Sequence, residues 1–314
     1  GDEYSDSVSN EIIKSLFKTG LFSDISIINN DGFINISVLE NPTIKYFEFN
    51  LDSESGFSNW LKNEKKLLTL EQLNEIVIYN NLSPGNPFTQ QKLDELILTL
   101  NSKYFGSGYY NVAMSQETSI DTQNRVGIDI TIQQGERAKI EKFTISGAGS
   151  FPEDTLLKFF KIGEPDMSLI NYFTKKDFFS DTEFDNGIEM MTYHYFNKGF
   201  LDFKVLDIVT NLDNDKEKIS LDIQISEGIQ YKLGKVSFDG EFGQISPSAL
   251  NDAISLKEGD EFNREAMIQD IQTITDLFAD EGYAFVDVNP ILSELLDTVN
   301  INFMISLTSP ASLS

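Results

Sequence analysis

The sequence contains no cysteine, which removes disulfide scaffolds, thiolate metal centres and cysteine nucleophiles together. Such a chain suits any compartment, including an oxidising one where stray thiols are a liability. One histidine, His194, occurs in 314 residues. No second histidine or cysteine can join it in a metal site or catalytic pair, and its neighbours Tyr193, Tyr195 and Phe196 point to packing instead. No run of about 18 apolar residues exists, so no segment reads as a membrane-spanning helix. The opening Gly1-Asp2-Glu3-Tyr4 is not a secretion signal, which implies that a signal was removed or that the chain is an excised fragment. Basic side chains are scarce, 24 against 50 acidic ones, for a net charge of -26. Phosphate backbones and anionic lipid headgroups repel such a surface, which argues against nucleic-acid binding and peripheral membrane adhesion. The charge reads as solubility.

Catalytic signatures are missing as well. There is no Gly-x-Ser-x-Gly, phosphate loop, dinucleotide fingerprint or His-Glu-x-x-His. With 50 acids, carboxylate pairs occur everywhere, and spacing alone nominates no glycosidase pair. The run Asp207, Asp213, Asp215 and Glu217 lacks the spacing of a calcium loop and reads as a solvated hairpin turn. No cofactor and no metal is expected. Trp60, the only tryptophan, falls with Phe57 and Leu61 in a polar stretch over 52–70, where local helix packing outweighs a partner-facing anchor.

What is present is a repeat. Four segments alternate apolar and polar residues: Ile34 to Val38, Val126 to Ile132, Ile219 to Ile225 and Val299 to Ile305. Period two marks strands with one face on a core. The first three end in a polar turn and lead into another strand, at Ile44, Ile140 and Leu233. Upstream of each alternating segment lies an amphipathic, helix-like stretch closed by a glycine: Gly20, Gly108, Gly199 and Gly282. A glycine just past a helix adopts the left-handed capping conformation at low cost. Ser5, Thr89, Asp185 and Asn263 sit where these helices should be N-capped. Their apolar faces are Ile12, Ile13, Leu16 and Phe17; Leu93, Leu96, Ile97, Leu100 and Tyr104; Ile188, Met191 and Tyr195; and Ile268, Ile271, Leu277 and Phe278. A second helix is signalled at Ser150-Phe151-Pro152 and Ser246-Pro247, an N-cap residue followed by proline in the first turn.

Each full unit therefore reads strand, helix, helix, strand, strand. Two helices must cover one face of a three-stranded mixed sheet, because nothing else buries both apolar faces. The expected class is α+β: tandem βααββ modules at 43–136, 137–228 and 229–308, with 1–42 supplying the C-terminal half of a first unit. Short linkers, Glu136-Arg137-Ala138 and Gly228-Ile229-Gln230, predict an elongated array with a few preferred bends.

A tandem βααββ module of this size, with Gly-aromatic after the second helix and Glu-Gly after the last strand, resembles the POTRA domain over essentially the whole chain. Among POTRA proteins the array looks most like the BamA family of bacterial outer-membrane protein assembly factors. Lys18-Thr19-Gly20-Leu21-Phe22-Ser23-Asp24 and Glu40-Asn41-Pro42-Thr43-Ile44 are similar to the end of that family's first unit. Glu164 to Asp185 resembles its third unit, with a long link between helices, and Tyr231-Lys232-Leu233 the start of its fourth. The sequence departs from the family in its long, polar 52–70 stretch, and neither a fifth unit nor barrel strands follow Leu307.

The resemblance implies a scaffold in the periplasm of a Gram-negative bacterium. Its partners would be unfolded outer-membrane β-barrel precursors and accessory lipoproteins of the assembly complex, and its action binding rather than catalysis. An exposed sheet edge accepts an incoming strand through its free N–H and C=O groups, and main-chain pairing tolerates many sequences. In the family that role belongs to the edge strand after the second helix of the third unit. Here that strand is Leu201, Asp202, Phe203, Lys204, Val205, Leu206, Asp207 and Ile208. The competing reading is that these residues, Phe203 and Val205 above all, only pack their own sheet. Other functions to weigh are the POTRA arm of a related secretion or translocation pore, and an acid-rich hydrolase, which needs a deep pocket with convergent polar groups.

Overall fold

Three of the four alternating segments become the central strands of three-stranded sheets, and the first, Ile34 to Val38, lies in a two-stranded one. A computed structural model describes residues 6–30, 33–51, 66–164, 176–283 and 285–307. Two compact units divide it, one comprising Gly1–Lys139, Phe178–Asp181 and Leu212–Lys218, the other Ile140–Asp177, Thr182–Asn211 and Ile219–Ser314.

In the first unit, α1 (Asp6–Lys18) precedes the antiparallel hairpin of β1 (Phe22–Asn30) and β2 (Phe33–Glu40). Then come β3 (Thr43–Leu51), α2 (Leu70–Tyr79), α3 (Gln90–Gly106), β4 (Ala113–Ile120) and β5 (Arg125–Gln133). The sheet order is β3-β5-β4, with β3 parallel and β4 antiparallel to β5. Thr89 caps α3 by accepting from Lys92 N–H, and Thr69 with Gln72 forms a capping box on α2. Leu93, Leu96, Leu100 and Tyr104 of α3 and Leu73 and Val77 of α2 close over Val126, Ile128, Ile130 and Ile132 of β5.

The remaining strands are β6 (Lys139–Ser146), β7 (Lys204–Leu212) and β8 (Lys218–Ser226) in order β6-β8-β7, and β9 (Lys232–Gly240), β10 (Val286–Leu295) and β11 (Thr298–Leu307) in order β10-β11-β9. β11 runs parallel to β9 and antiparallel to β10. The helices between them are α4 (Glu153–Leu156), continued by a 3-10 turn, α5 (Asp181–Asn197), α6 (Pro247–Ala253) and α7 (Arg264–Asp280). Ser246 and Asn263 are the N-caps of α6 and α7. Each complete repeat thus has the order strand, helix, helix, strand, strand: an α+β chain of repeated modules.

Several expectations are corrected. α5 begins at Asp181, so Asp185 is an interior residue and not a cap. The extra turn brings Phe184 into the core against Phe143 and Phe160, and places Asp181 and Glu183 at the positive end of the helix. Ser150 does not cap α4; Pro152 holds that position, and Ser150 donates through N–H and Oγ to the Glu227 carboxylate. On α7 the buried stripe is Met267, Asp270, Ile274 and Phe278, leaving Ile268 48% exposed. Asp270 is buried because its carboxylate accepts from Ser255 and Leu256 N–H, at 2.7 and 3.0 Å, and thereby ties the end of α6 to α7. β2 alternates in sequence, yet all its residues are exposed. A two-stranded sheet under one helix encloses little, and among its described residues Ile25 alone reaches full burial. Ser5, the 52–65 part of the polar stretch with Phe57, Trp60 and Leu61, residues 165–175 of the long link, and the tail after Leu307 lie outside the described residues.

Candidate functional site

The third sheet places β7 at one edge, hydrogen-bonded on one side to β8. The candidate segment 201–208 straddles the start of that strand. Leu201 and Asp202 form a turn, and Phe203 is buried, its ring stacked on Tyr195 at 4.1 Å. Lys204, Val205, Leu206, Asp207 and Ile208 lie in the strand, which continues to Leu212. Leu206, Ile208 and Leu212 are exposed and, by the period of two, share a face. The hairpin bond from Asp213 N–H to Lys218 carbonyl, 3.0 Å, sets the alternation. Amides of Leu206, Ile208 and Thr210 therefore point away from β8. That of Ile208 meets the carboxylate of the preceding Asp207 at 2.9 Å. The opposite face carries a shallow groove of about 350 Å³ lined by Lys142, Thr144, Asn211, Ser220, Leu221 and Asp222.

The core beneath β7 is aromatic. Tyr195 contacts Phe151, Phe200 and Phe203, and its hydroxyl donates to Glu227 at 2.8 Å. Burial, reinforced by Glu227, pushes the Tyr195 phenol upward. Burial opposes ionisation of Glu227, but donors from Ser150, Tyr195 and Gly149 N–H prevail and hold its carboxyl below the ordinary range. His194 sits between Phe151 at 4.7 Å and Phe159 at 4.9 Å; burial, then Lys198, lower its pKa. It is part of the packing. The acids expected in a hairpin turn do form one: Asp213 Oδ1 accepts from Glu217 and Lys218 N–H, while Asp207 lies in β7.

The repeat glycines all have positive φ: Gly20 (70°), Gly108 (85°), Gly199 (83°) and Gly282 (92°). Two of them also accept a main-chain hydrogen bond from the start of the next repeat. The Gly108 carbonyl accepts from Ala138 N–H, and the Gly199 carbonyl from Tyr231 N–H, each at 2.8 Å. Ala138 and Tyr231 then accept from Phe179 and Phe262 N–H, at 3.2 and 3.0 Å. At the first repeat the corresponding residue is Pro42, which has no N–H. It still accepts from Phe88, at 2.7 Å, but Asn41 Nδ2 takes over the donation to the Gly20 carbonyl at 2.9 Å. The sequence showed these glycines as helix ends; their role in joining one repeat to the next was missed, although the short spacers after each final strand were its trace. Tyr231 is also held by its hydroxyl, shared between Asp202 at 2.9 Å and Glu294 at 3.3 Å.

Comparison with known proteins gives this architecture its place. The chain is 27% identical over 307 residues to the outer membrane protein assembly factor BamA of Neisseria meningitidis serogroup B, covering 98% of this chain and 37% of that protein. It is 25% identical over 297 residues to BamA of Buchnera aphidicola, covering 94% of this chain and 46% of that one. The chain thus spans less than half the length of either. The crystal structure of Haemophilus influenzae BamA POTRA3-5 aligns with 84% of this chain and 96% of its own at 13% identity, with a TM-score of 0.45. The signature of POTRA, surface antigen variable number repeat, matches residues 62–135, 138–228 and 231–306. With that signature running through all three βααββ repeats, the chain belongs to the POTRA family.

Proposed function

We propose that this chain is the periplasmic arm of an outer-membrane protein assembly factor, with modules at 43–136, 137–228 and 229–308 and the C-terminal half of another at 1–42. It acts by binding polypeptides rather than by catalysis. Unfolded outer-membrane β-barrel precursors add as strands along β7, Lys204–Leu212, and accessory lipoproteins dock on the third module near it. The observation that carries this reading is the edge itself: nine residues, outward amides at alternate positions, and exposed Leu206, Ile208 and Leu212 to receive apolar side chains. The corresponding strand of the fourth sheet, β10, is less suited, because Pro290 removes a donor from it. The names of the BamA relatives support a role in outer-membrane protein assembly over a secretion-pore arm. The shallow, open groove on the third sheet offers a hydrolase no enclosed site.

The test is an NMR titration of the 314-residue chain with an unfolded peptide copied from an outer-membrane β-strand. Shifts centred on Lys204–Leu212, with weak affinity on the order of -4 kcal/mol, are expected. An absence of shifts at high peptide concentration overturns direct strand addition.

A further inference from the structure

The third sheet has a second edge, β6, and its outward amides are already occupied. Phe143 N–H donates to Glu164 Oε1 and Ile145 N–H to Glu153 Oε1, each at 2.8 Å. Two residues apart, these amides lie on the same side of the strand, away from β8. They are successive positions at which an added strand would have to hydrogen-bond. Towards the start of β6, Ile140 N–H is taken by the Asp177 carbonyl at 2.7 Å.

The two glutamates are not part of the sheet. Glu153 is the first residue of α4, and Glu164 follows the 3-10 turn after it. A carboxylate is a stronger acceptor for an amide than a neutral carbonyl. An incoming strand would have to expel both carboxylates and leave its own carbonyl oxygens facing them. At β7 the corresponding obstacle is slight. Ile208 N–H meets the side chain of its immediate neighbour, Asp207, and local side-chain bonds of this kind compete weakly with a ladder.

We propose that Glu153 and Glu164 close the β6 edge, so that the third sheet accepts an extended polypeptide on one side and steers it to β7. The inference rests on the strand-addition reading above and adds the residues that decide which edge is used. It also explains how a sheet with two edges avoids being bridged on both sides at once, which would chain molecules together.

The test uses the full 314-residue chain with Glu153→Ala and Glu164→Ala combined, and Glu153→Gln with Glu164→Gln as the variant that keeps an acceptor. The probe is a short synthetic peptide of alternating valine and serine carrying a nitroxide. In the parent chain and the glutamine variant, paramagnetic broadening should fall on β7 amides and spare Phe143 and Ile145. In the alanine variant it should reach both strands. Broadening at β6 in the parent, or none at β6 in an alanine variant whose core resonances are unchanged and whose β7 is saturated, overturns the proposal. Amide exchange without peptide separates this from the strand-addition reading. Removing the carboxylates should speed exchange at Phe143 and Ile145 by about fivefold or more. If the peptide binds nowhere but exchange speeds up, the caps are supported and strand addition at β7 falls; unchanged exchange overturns the caps.

Discussion

Tyr231 N–H donates to the Gly199 carbonyl at 2.8 Å, and a methyl group added at Gly199 would lie 2.7 Å from the Tyr231 carbonyl oxygen. The glycine is therefore required twice, once for its φ of 83° and once for the approach of the next repeat.

Gly282 separates these two demands. Its φ is 92°, but a Cβ there would meet no atom within 4 Å. Gly282→Ala should cost about 1–2 kcal/mol, the strain of left-handed alanine. Gly199→Ala should cost more and speed exchange of the Tyr231 amide. Equal denaturant midpoints for the two variants would show that close approach adds nothing.

Asn41 and Pro42 form a compensating pair. Asn41→Ala removes the donor to the Gly20 carbonyl and should destabilise by about 1 kcal/mol. Pro42→Ala restores a main-chain N–H of the kind that Ala138 and Tyr231 supply elsewhere. The double variant should therefore recover stability relative to Asn41→Ala in thermal unfolding; additive losses would contradict the exchange of roles.

Asp121 and Tyr231 set opposite pH limits. Hydrogen bonds from Arg125, outweighing desolvation, hold Asp121 down from 3.8 to about 2. Its lowered pKa means that this stabilisation is complete above the unfolded value and is lost as pH falls from 3.8 through about 2. The hydrogen bond to Asp202, with burial second, raises Tyr231 from 10.0 to about 12. That contribution is complete below 10 and is lost as pH rises through about 12. Carboxyl NMR titration of Asp121 and ultraviolet titration of Tyr231 against a Tyr231→Phe control check both; ordinary midpoints would refute them.

Phe203 and Leu206 should respond differently although only three positions apart. Phe203→Ala empties a buried site stacked on Tyr195 and should cost about 3–5 kcal/mol. Leu206 is 64% exposed, so Leu206→Ala should change stability by less than about 0.5 kcal/mol while weakening peptide binding at β7. Calorimetry with peptide titration distinguishes the two; a stability loss at Leu206 as large as that at Phe203 would make it a core residue.

The repeat was legible because period-two strands, amphipathic helices and capping glycines are local signals. Val126 to Ile132, Ile219 to Ile225 and Val299 to Ile305 each became a central strand. Misreadings came where a local signal was overridden by a distant partner. Ser150 has a cap's chemistry, but Glu227, far along the chain, claims it. Asp185 has the chemistry of an N-cap, but the helix begins a turn earlier, at Asp181, with Phe184 packed on Phe143 and Phe160. β2 has the pattern of a half-buried strand without enough cover to bury it.

The candidate strand was visible in outline; which of its side chains stay exposed was not. Sequence alternation cannot tell that Phe203 turns into the core while Leu206 and Ile208 remain exposed, since all are apolar and closely spaced. The sequence by itself determined the strand and helix order and the positions of the glycines, because these follow from period and backbone freedom along a few residues. Only the tertiary structure decided which amides are taken, by Glu153, Glu164, Asn41 or the Gly199 carbonyl, because a hydrogen bond depends on what the fold brings within 3 Å and not on neighbours in the chain.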